Sequence, residues 1–301
     1  MSAFLPLPRT TTLGPFTVGR LAYGCWRFAG TPVVKARAKI HAARAAGMSL
    51  LDTAAIYGYG ETAFGEAEER LGDLFAADAA LRGQIVLVTK AGIHPPAPYD
   101  SRKSTLIASA EASLKRLRTD VLDVFLIHRP DFLASHEEVA AALSELVQTG
   151  KARTVGVSNY TPAQTRALQA HLDVPLVATQ PEFSALCSAP LDDGTLDLAQ
   201  EFGMCAMAWS PLGGGALATG TGDHPRLANV IVELDRIANA QGTSRDLVAL
   251  AWVLAHPAHP IALIGSQTPA RIAAAAGAYD IKLTRRDWYA VLEASRGAPM
   301  P

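Results

Sequence analysis

The sequence predicts an α/β fold: one (β/α)8 barrel of the TIM type, with a short N-terminal β-hairpin capping its bottom. Three observations predict it. The chain has 301 residues, 49% of them hydrophobic, enough for one large closed core. Eight short apolar runs recur along it, each ending in a small or polar residue. Between them lie longer segments whose apolar residues fall at three- and four-residue spacing, the period of an amphipathic helix. Apolar strands alternating with helices are parallel strands covered on both faces, and eight such units suit a closed barrel better than an open sheet. No linker-like or low-complexity segment divides residues 1–301, so one domain is expected.

In chain order, residues 5–19 (LPLPRTTTLGPFTVG) read as the hairpin, because Leu13-Gly14-Pro15 joins two extended runs. The strand runs then follow at 21–26, 49–53, 85–90, 121–128, 154–158, 176–180, 205–210 and 261–266. Leu106, Ala110, Leu114 and Leu117 show the helical spacing of the segments between. Helix starts are marked by Ser135-x-x-Glu138 and Thr161-Pro162-x-Gln164, which read as capping boxes, and by Thr268-Pro269, a cap followed by Pro at the first helical position. Ala46-Gly47 and Thr149-Gly150 mark helix ends.

Composition excludes several classes of partner. The net charge is −1 and no extended basic run occurs, which argues against nucleic acid or an anionic membrane surface. No apolar stretch approaches the roughly 18 residues of a membrane span. The start, MSAFLPLPRTTT, lacks the basic residues and continuous apolar core of a signal peptide. Cys25, Cys187 and Cys205 are odd in number and show no C-x-x-C spacing, which fits a reducing cytoplasm.

In a closed barrel the functional face lies at the C-terminal strand ends. Trp26, Asp52, Lys90, His128, Ser158, Gln180, Trp209 and Ser266 all fall there. Taken alone, a strand-end Asp is ordinarily a helix cap and the His of LIHRP a loop residue. Buried singly, Asp and Lys are costly groups; placed together they offset one another, and a nearby His adds a hydrogen bond. With Tyr57 on the loop after Asp52, the set reads as a catalytic constellation. GYGETA (58–63) also satisfies G-x-G-x-x-G/A. A dinucleotide fingerprint needs an acidic residue ending the next strand, and IVLVTK ends in Lys90. The glycines therefore read as a bend that leaves room around Tyr57. A Tyr-x-x-x-Lys pattern fails too, because Glu61 stands four residues beyond Tyr57.

Five motifs, in this order and spacing, resemble the aldo-keto reductase family over nearly the whole chain: LLDTAAIYG, IVLVTKAG, VFLIHRPD, TVGVSNYTP and MAWSPLGGGAL. The likeness is nearest to the family's bacterial oxidoreductases. It implies a catalytic tetrad of Asp52, Tyr57, Lys90 and His128, with Tyr57 as general acid toward a carbonyl oxygen. A free Tyr titrates near 10, so an adjacent Lys ammonium is expected to lower its pKa, with Asp52 holding Lys90 charged. A neutral His128 is expected to donate to the carbonyl oxygen.

The resemblance also implies an NADP(H) site, with NAD(H) bound more weakly. Ser158, Asn159 and Gln180 match residues that hold the nicotinamide carboxamide, and Trp209 the ring that stacks on it. Ser210, Pro211, Leu212, Gly213, Gly214 and Gly215 match the stretch around the pyrophosphate. Gly265, Ser266 and Arg271 match the 2′-phosphate site, where phosphate suits a hydroxyl and a guanidinium. Gly24 and Trp26, ending the first strand run, complete the expected cofactor edge, and Trp26 with Tyr59 and Trp209 is expected to line the site of a small-molecule carbonyl, which such rings make apolar or aromatic. The chain departs from the family at Gly265, where a Lys or Arg is frequent, and at Ala274 and Ala275, where a Glu-Asn pair often holds adenine. The loop 93–104 either shapes the substrate mouth or serves as a stiff connector. His256 and His259 lack a third ligand, so no metal is expected. The alternative to a carbonyl reductase is a redox sensor that uses the same barrel and cofactor with slow turnover.

Overall fold

The structure, a computed structural model, describes residues 3–301. Its ten strands are β1 (Thr10–Leu13), β2 (Phe16–Gly19), β3 (Leu21–Gly24), β4 (Leu50–Asp52), β5 (Val86–Ala91), β6 (Leu122–Ile127), β7 (Ala152–Ser158), β8 (Leu176–Gln180), β9 (Cys205–Ala208) and β10 (Ile261–Ile264). The last eight close into a barrel in the order β10-β3-β4-β5-β6-β7-β8-β9, every pair parallel. All eight apolar runs read from the sequence have become barrel strands. Several are trimmed at their C-terminal ends, so that His128, Trp209 and Ser266 lie just beyond them.

Two-residue alternation divides each strand between two cores. Ala22, Leu50, Val88, Val124, Leu126, Ala178, Met207 and Leu263 fill the barrel interior. Their neighbours Tyr23, Leu51, Leu87, Phe125, Val155 and Ala206 face outward into a second apolar layer beneath the helices. Both layers are apolar and buried, which is why the strands read as almost continuous apolar runs.

The hairpin β1–β2 is antiparallel, and its Leu13 and Val18 join the interior core, closing the barrel at its N-terminal end. It is shorter than the 5–19 expected. The segment before Thr10 runs instead against the C-terminal part of the chain, with Leu5 N donating to Leu283 O at 2.7 Å and Phe4 bridging Thr284. Pro6 and Pro8 supply no N–H for a ladder, which limits pairing there.

Thr161 and Gln164 form the full capping box. Ser135 accepts from Glu138 N, but the Glu138 carboxylate turns away to accept from Lys103 N at 3.0 Å, so only half of that box forms. Thr268 makes no side-chain cap, and the helix Pro269–Ala274 starts on its Pro alone. Gly47 and Gly150 lie just past helix ends with left-handed φ values of 83° and 72°, as a C-terminal cap requires. Among the described residues no helix is long and apolar enough to cross a membrane.

Candidate active site

The alternation that fills the interior also builds the site. Two residues beyond an inward apolar side chain, the next inward position is at the rim: Leu50 leads to Asp52, Val88 to Lys90, Leu126 to His128, Gly156 to Ser158, Ala178 to Gln180 and Met207 to Trp209. Tyr57 arrives from the loop after β4. That loop is bent inward by Ala55 N donating to Lys90 O at 2.9 Å and by Ala67 N donating to Tyr57 O at 3.3 Å.

Lys90 is fully buried. Its ammonium donates to Asp52 Oδ2 at 2.6 Å and to Thr53 O at 2.8 Å. It also lies 5.0 Å from the centroid of the Tyr57 ring. Asp52 is held from its other side by Gln180 Nε2, which donates to Oδ1 at 2.8 Å. Tyr57 and His128 meet edge to face, their centroids 5.9 Å apart.

The electrostatics follow from burial and from this one ion pair. Burial works against the Lys90 ammonium, but Asp52 and Tyr57 together outweigh it and raise its pKa. His128 is pushed well below its ordinary value, first by burial and then by the Lys90 and Arg129 charges, so its ring is neutral. Its Nδ1 is buried without a partner. A proton there would orphan a buried donor, so the ring N–H belongs on Nε2. For Tyr57 the sequence expectation is overturned in its net direction. Lys90 does pull the phenol down, but burial is the larger influence and the pKa is raised. The group therefore rests as a protonated acid.

On the facing side of the rim, Ser158 Oγ donates to Gln180 O at 2.9 Å, and Asn159 Nδ2 donates to Ser158 Oγ at 2.9 Å and His128 O at 3.1 Å. Trp209 Nε1 donates to Asn159 Oδ1 at 3.0 Å. The structure thus brings Ser158, Asn159, Gln180 and Trp209 together and engages their polar groups with one another. A carboxamide bound here would exchange those bonds, and Gln180 would offer its oxygen, its nitrogen being committed to Asp52.

Beyond Trp209, Ser210 has φ 50°, Pro211 is buried, and Leu212 packs on the outer core. A Cβ at Gly213 would press on Leu186, whereas at Gly214 or Gly215 it would meet nothing within 4 Å. Gly24 and Gly265 are equally uncrowded across the β3–β10 seam, with nearest contacts of 3.6 and 3.9 Å. Ser266 is held through its carbonyl by Tyr23 Oη at 3.1 Å. Arg271 is exposed and forms no ion pair among the described residues.

Trp26 and Tyr59 are 58% and 56% exposed, so they stand on the rim rather than lining a closed pocket. Arg27 lies over the Trp26 ring at 5.4 Å. Sequence reading missed Thr53, whose carbonyl takes the second Lys90 bond; Arg129, next to His128; and Lys39, whose ammonium reaches Gln267 near Ser266. Their adjacency to motif residues marked Thr53 and Arg129, but nothing marked Lys39.

A model of the aldo/keto reductase family matches residues 20–296. The chain is 46% identical over 306 residues to a 6-dehydroglucose reductase of Novosphingobium aromaticivorans, with 99% of each covered. It is 39% identical over 284 residues to a protein of the same name from Agrobacterium fabrum, covering 90% of this chain and 92% of that one. Among solved structures, a glycerol dehydrogenase from Gluconobacter oxydans matches with a TM-score of 0.85 at 27% identity, 97% of both chains being covered.

Proposed function

This chain belongs to the aldo/keto reductase family of oxidoreductases, and from that premise we propose that it reduces an aldehyde or ketone to an alcohol at the expense of NADPH, with Tyr57 as general acid. The observation that carries the reading is Lys90, a buried ammonium paired with Asp52 and set beside the Tyr57 ring. As negative charge develops on the carbonyl oxygen, the phenol transfers its proton there. The resulting tyrosinate is stabilised by Lys90, which Asp52, Thr53 and Gln180 hold in place. His128 Nε2–H donates to the same oxygen and orients it. The tyrosinate then regains its proton from solvent.

The residues present fit a nicotinamide dinucleotide. The open faces at Gly24, Gly214, Gly215 and Gly265 leave room for close backbone approach, and Arg271 is free to take an anion. When bound, the nicotinamide supplies the hydride. Trp209 would stack on its ring, Ser158, Asn159 and Gln180 would hold its carboxamide, Ser210 to Gly215 would surround the pyrophosphate, and Ser266 with Arg271 would take a 2′-phosphate. For the substrate, the names of the two reductase relatives described above support a sugar-like, hydroxylated carbonyl over a purely apolar one. Arg129 beside His128 and Glu182 just beyond β8 offer polar groups at that mouth.

The test is Tyr57→Phe, assayed for NADPH oxidation with a panel of sugar and simple carbonyls and titrated with NADPH by fluorescence quenching. Removing the acid while keeping the ring should cost about 10²–10⁴-fold in turnover with cofactor affinity nearly unchanged. Near-full turnover in the variant would overturn the assignment.

A further inference from the structure

Lys39, on the helix Val33–Ala45, is only 6% exposed, yet both of its hydrogen-bond acceptors are neutral. Its ammonium donates to Gln267 Oε1 at 2.6 Å and to Thr31 Oγ1 at 3.3 Å, with the Phe28 ring 5.6 Å away. No carboxylate pairs with it among the described residues, and the neighbouring Lys35 opposes its charge. An ammonium buried without a counter-ion is costly. A Met or Leu would fill the same space at lower cost, so the charge itself calls for an explanation.

Everything this ammonium touches belongs to two loops at the β3–β10 seam. Phe28 and Thr31 follow β3, and Gln267 follows β10. Gln267 in turn donates Nε2 to Gly265 O at 3.0 Å, while Tyr23 Oη holds Ser266 O at 3.1 Å and Thr268 N donates to Ser266 Oγ at 3.4 Å. The turn 265–268 is therefore tied from beneath by Lys39 and Tyr23. Its first residue, Gly265, brings no charge of its own, and one ammonium without a carboxylate partner lies a single hydrogen bond away from the turn, on Gln267.

We propose that Lys39 is the second cation of the nucleotide 2′-phosphate site, acting from below the turn 265–268 while Arg271 acts from its exposed side. It is a positioning and specificity residue rather than a catalytic one: it holds Gln267, and through it the turn, and its charge favours a phosphate over the bare ribose hydroxyl. This rests on the NADPH reading above.

The test uses the full chain and two probes, 2′,5′-ADP and ADP, titrated calorimetrically into wild type, Lys39→Met, Lys39→Arg and Gln267→Leu. Wild type should prefer 2′,5′-ADP. Lys39→Met should lose about fivefold to tenfold in 2′,5′-ADP affinity, the scale of one partly screened charge, while ADP binding changes less than about twofold. Its melting temperature should be unchanged or higher, because a buried unpaired charge has been removed. Lys39→Arg should recover most of the preference, and Gln267→Leu should lose part of it. A Lys39→Met variant that discriminates as wild type does, or that loses both probes equally, overturns the inference about Lys39 alone. A wild type that binds both probes equally overturns the NADPH reading beneath it.

Discussion

At the scale of single residues, the site hangs on the Lys90 ammonium, which has no solvent contact and three neighbours to satisfy it. Breaking a buried pair from one side leaves the other charge stranded and costs roughly 3–5 kcal/mol, whereas removing both charges is far milder. Lys90→Met should therefore lower stability by about that amount and reduce turnover at least about 100-fold. Adding Asp52→Asn should restore most of the stability and none of the turnover. Urea unfolding and NADPH oxidation on the single and double variants check this, and recovery of turnover in the double variant would contradict the role given to Lys90. The gathering of Asp52, Lys90 and His128 at the rim was legible because costly polar residues ended otherwise apolar strand runs. The Gln180–Asp52 bond was not, since it joins residues 128 apart and depends on barrel closure. The direction of the Tyr57 shift was equally hidden: sequence shows the neighbouring Lys but not the depth of burial that outweighs it.

Among the elements, β7 shows how tightly the interior sets the rim. Gly156 faces inward at the point where the β7–β8 register shifts. A Cβ there would lie 2.6 Å from Ala178 O and 2.7 Å from Leu126 Cδ2. The carbonyl belongs to the neighbouring strand and cannot step aside, so the strain must move β7 itself. Gly156→Ala should cost about 1–3 kcal/mol as overpacking. It should also weaken NADPH binding, because Ser158 ends the same strand two residues on and Asn159 follows it directly. Denaturation and cofactor titration test the two effects, and an unchanged stability would show that the strand has slack. Strands and helix ends were readable here because their signals are local: apolar runs, Thr161 with Gln164, Gly after a helix. The errors came where a local signal met a tertiary competitor. Glu138 serves the neighbouring helix instead of its own cap, and residues 5–9 dock on the chain near Leu283 instead of extending the hairpin.

For the molecule as a whole, the barrel holds neutral, half-buried histidines at both ends. His128 lies at the rim, well below its ordinary pKa because of burial and then the Lys90 and Arg129 charges. His256 lies on the loop leading into β10, packed against Phe183 and Trp288, and burial lowers it to about 4. Its Nδ1 already accepts from Ala258 N at 3.2 Å, so protonation at that nitrogen would also break a bond. The unfolded chain takes up a proton on each near pH 6.5, while the folded chain resists until much lower pH. Between those values the unfolded state binds more protons, so stability falls as pH falls. The slope is at most about 1.4 kcal/mol per pH unit for a single group, and less for His128, whose ring is partly exposed. It is likewise smaller for His256, whose partly exposed ring is screened. Unfolding free energies measured by urea from pH 7 to pH 4.5 should therefore decline for wild type and decline less steeply for His256→Gln and His128→Asn. Wild-type stability that holds constant across that window would mean that both rings accept protons in the folded state, and His128 could then no longer be the neutral donor on which the proposed carbonyl chemistry depends.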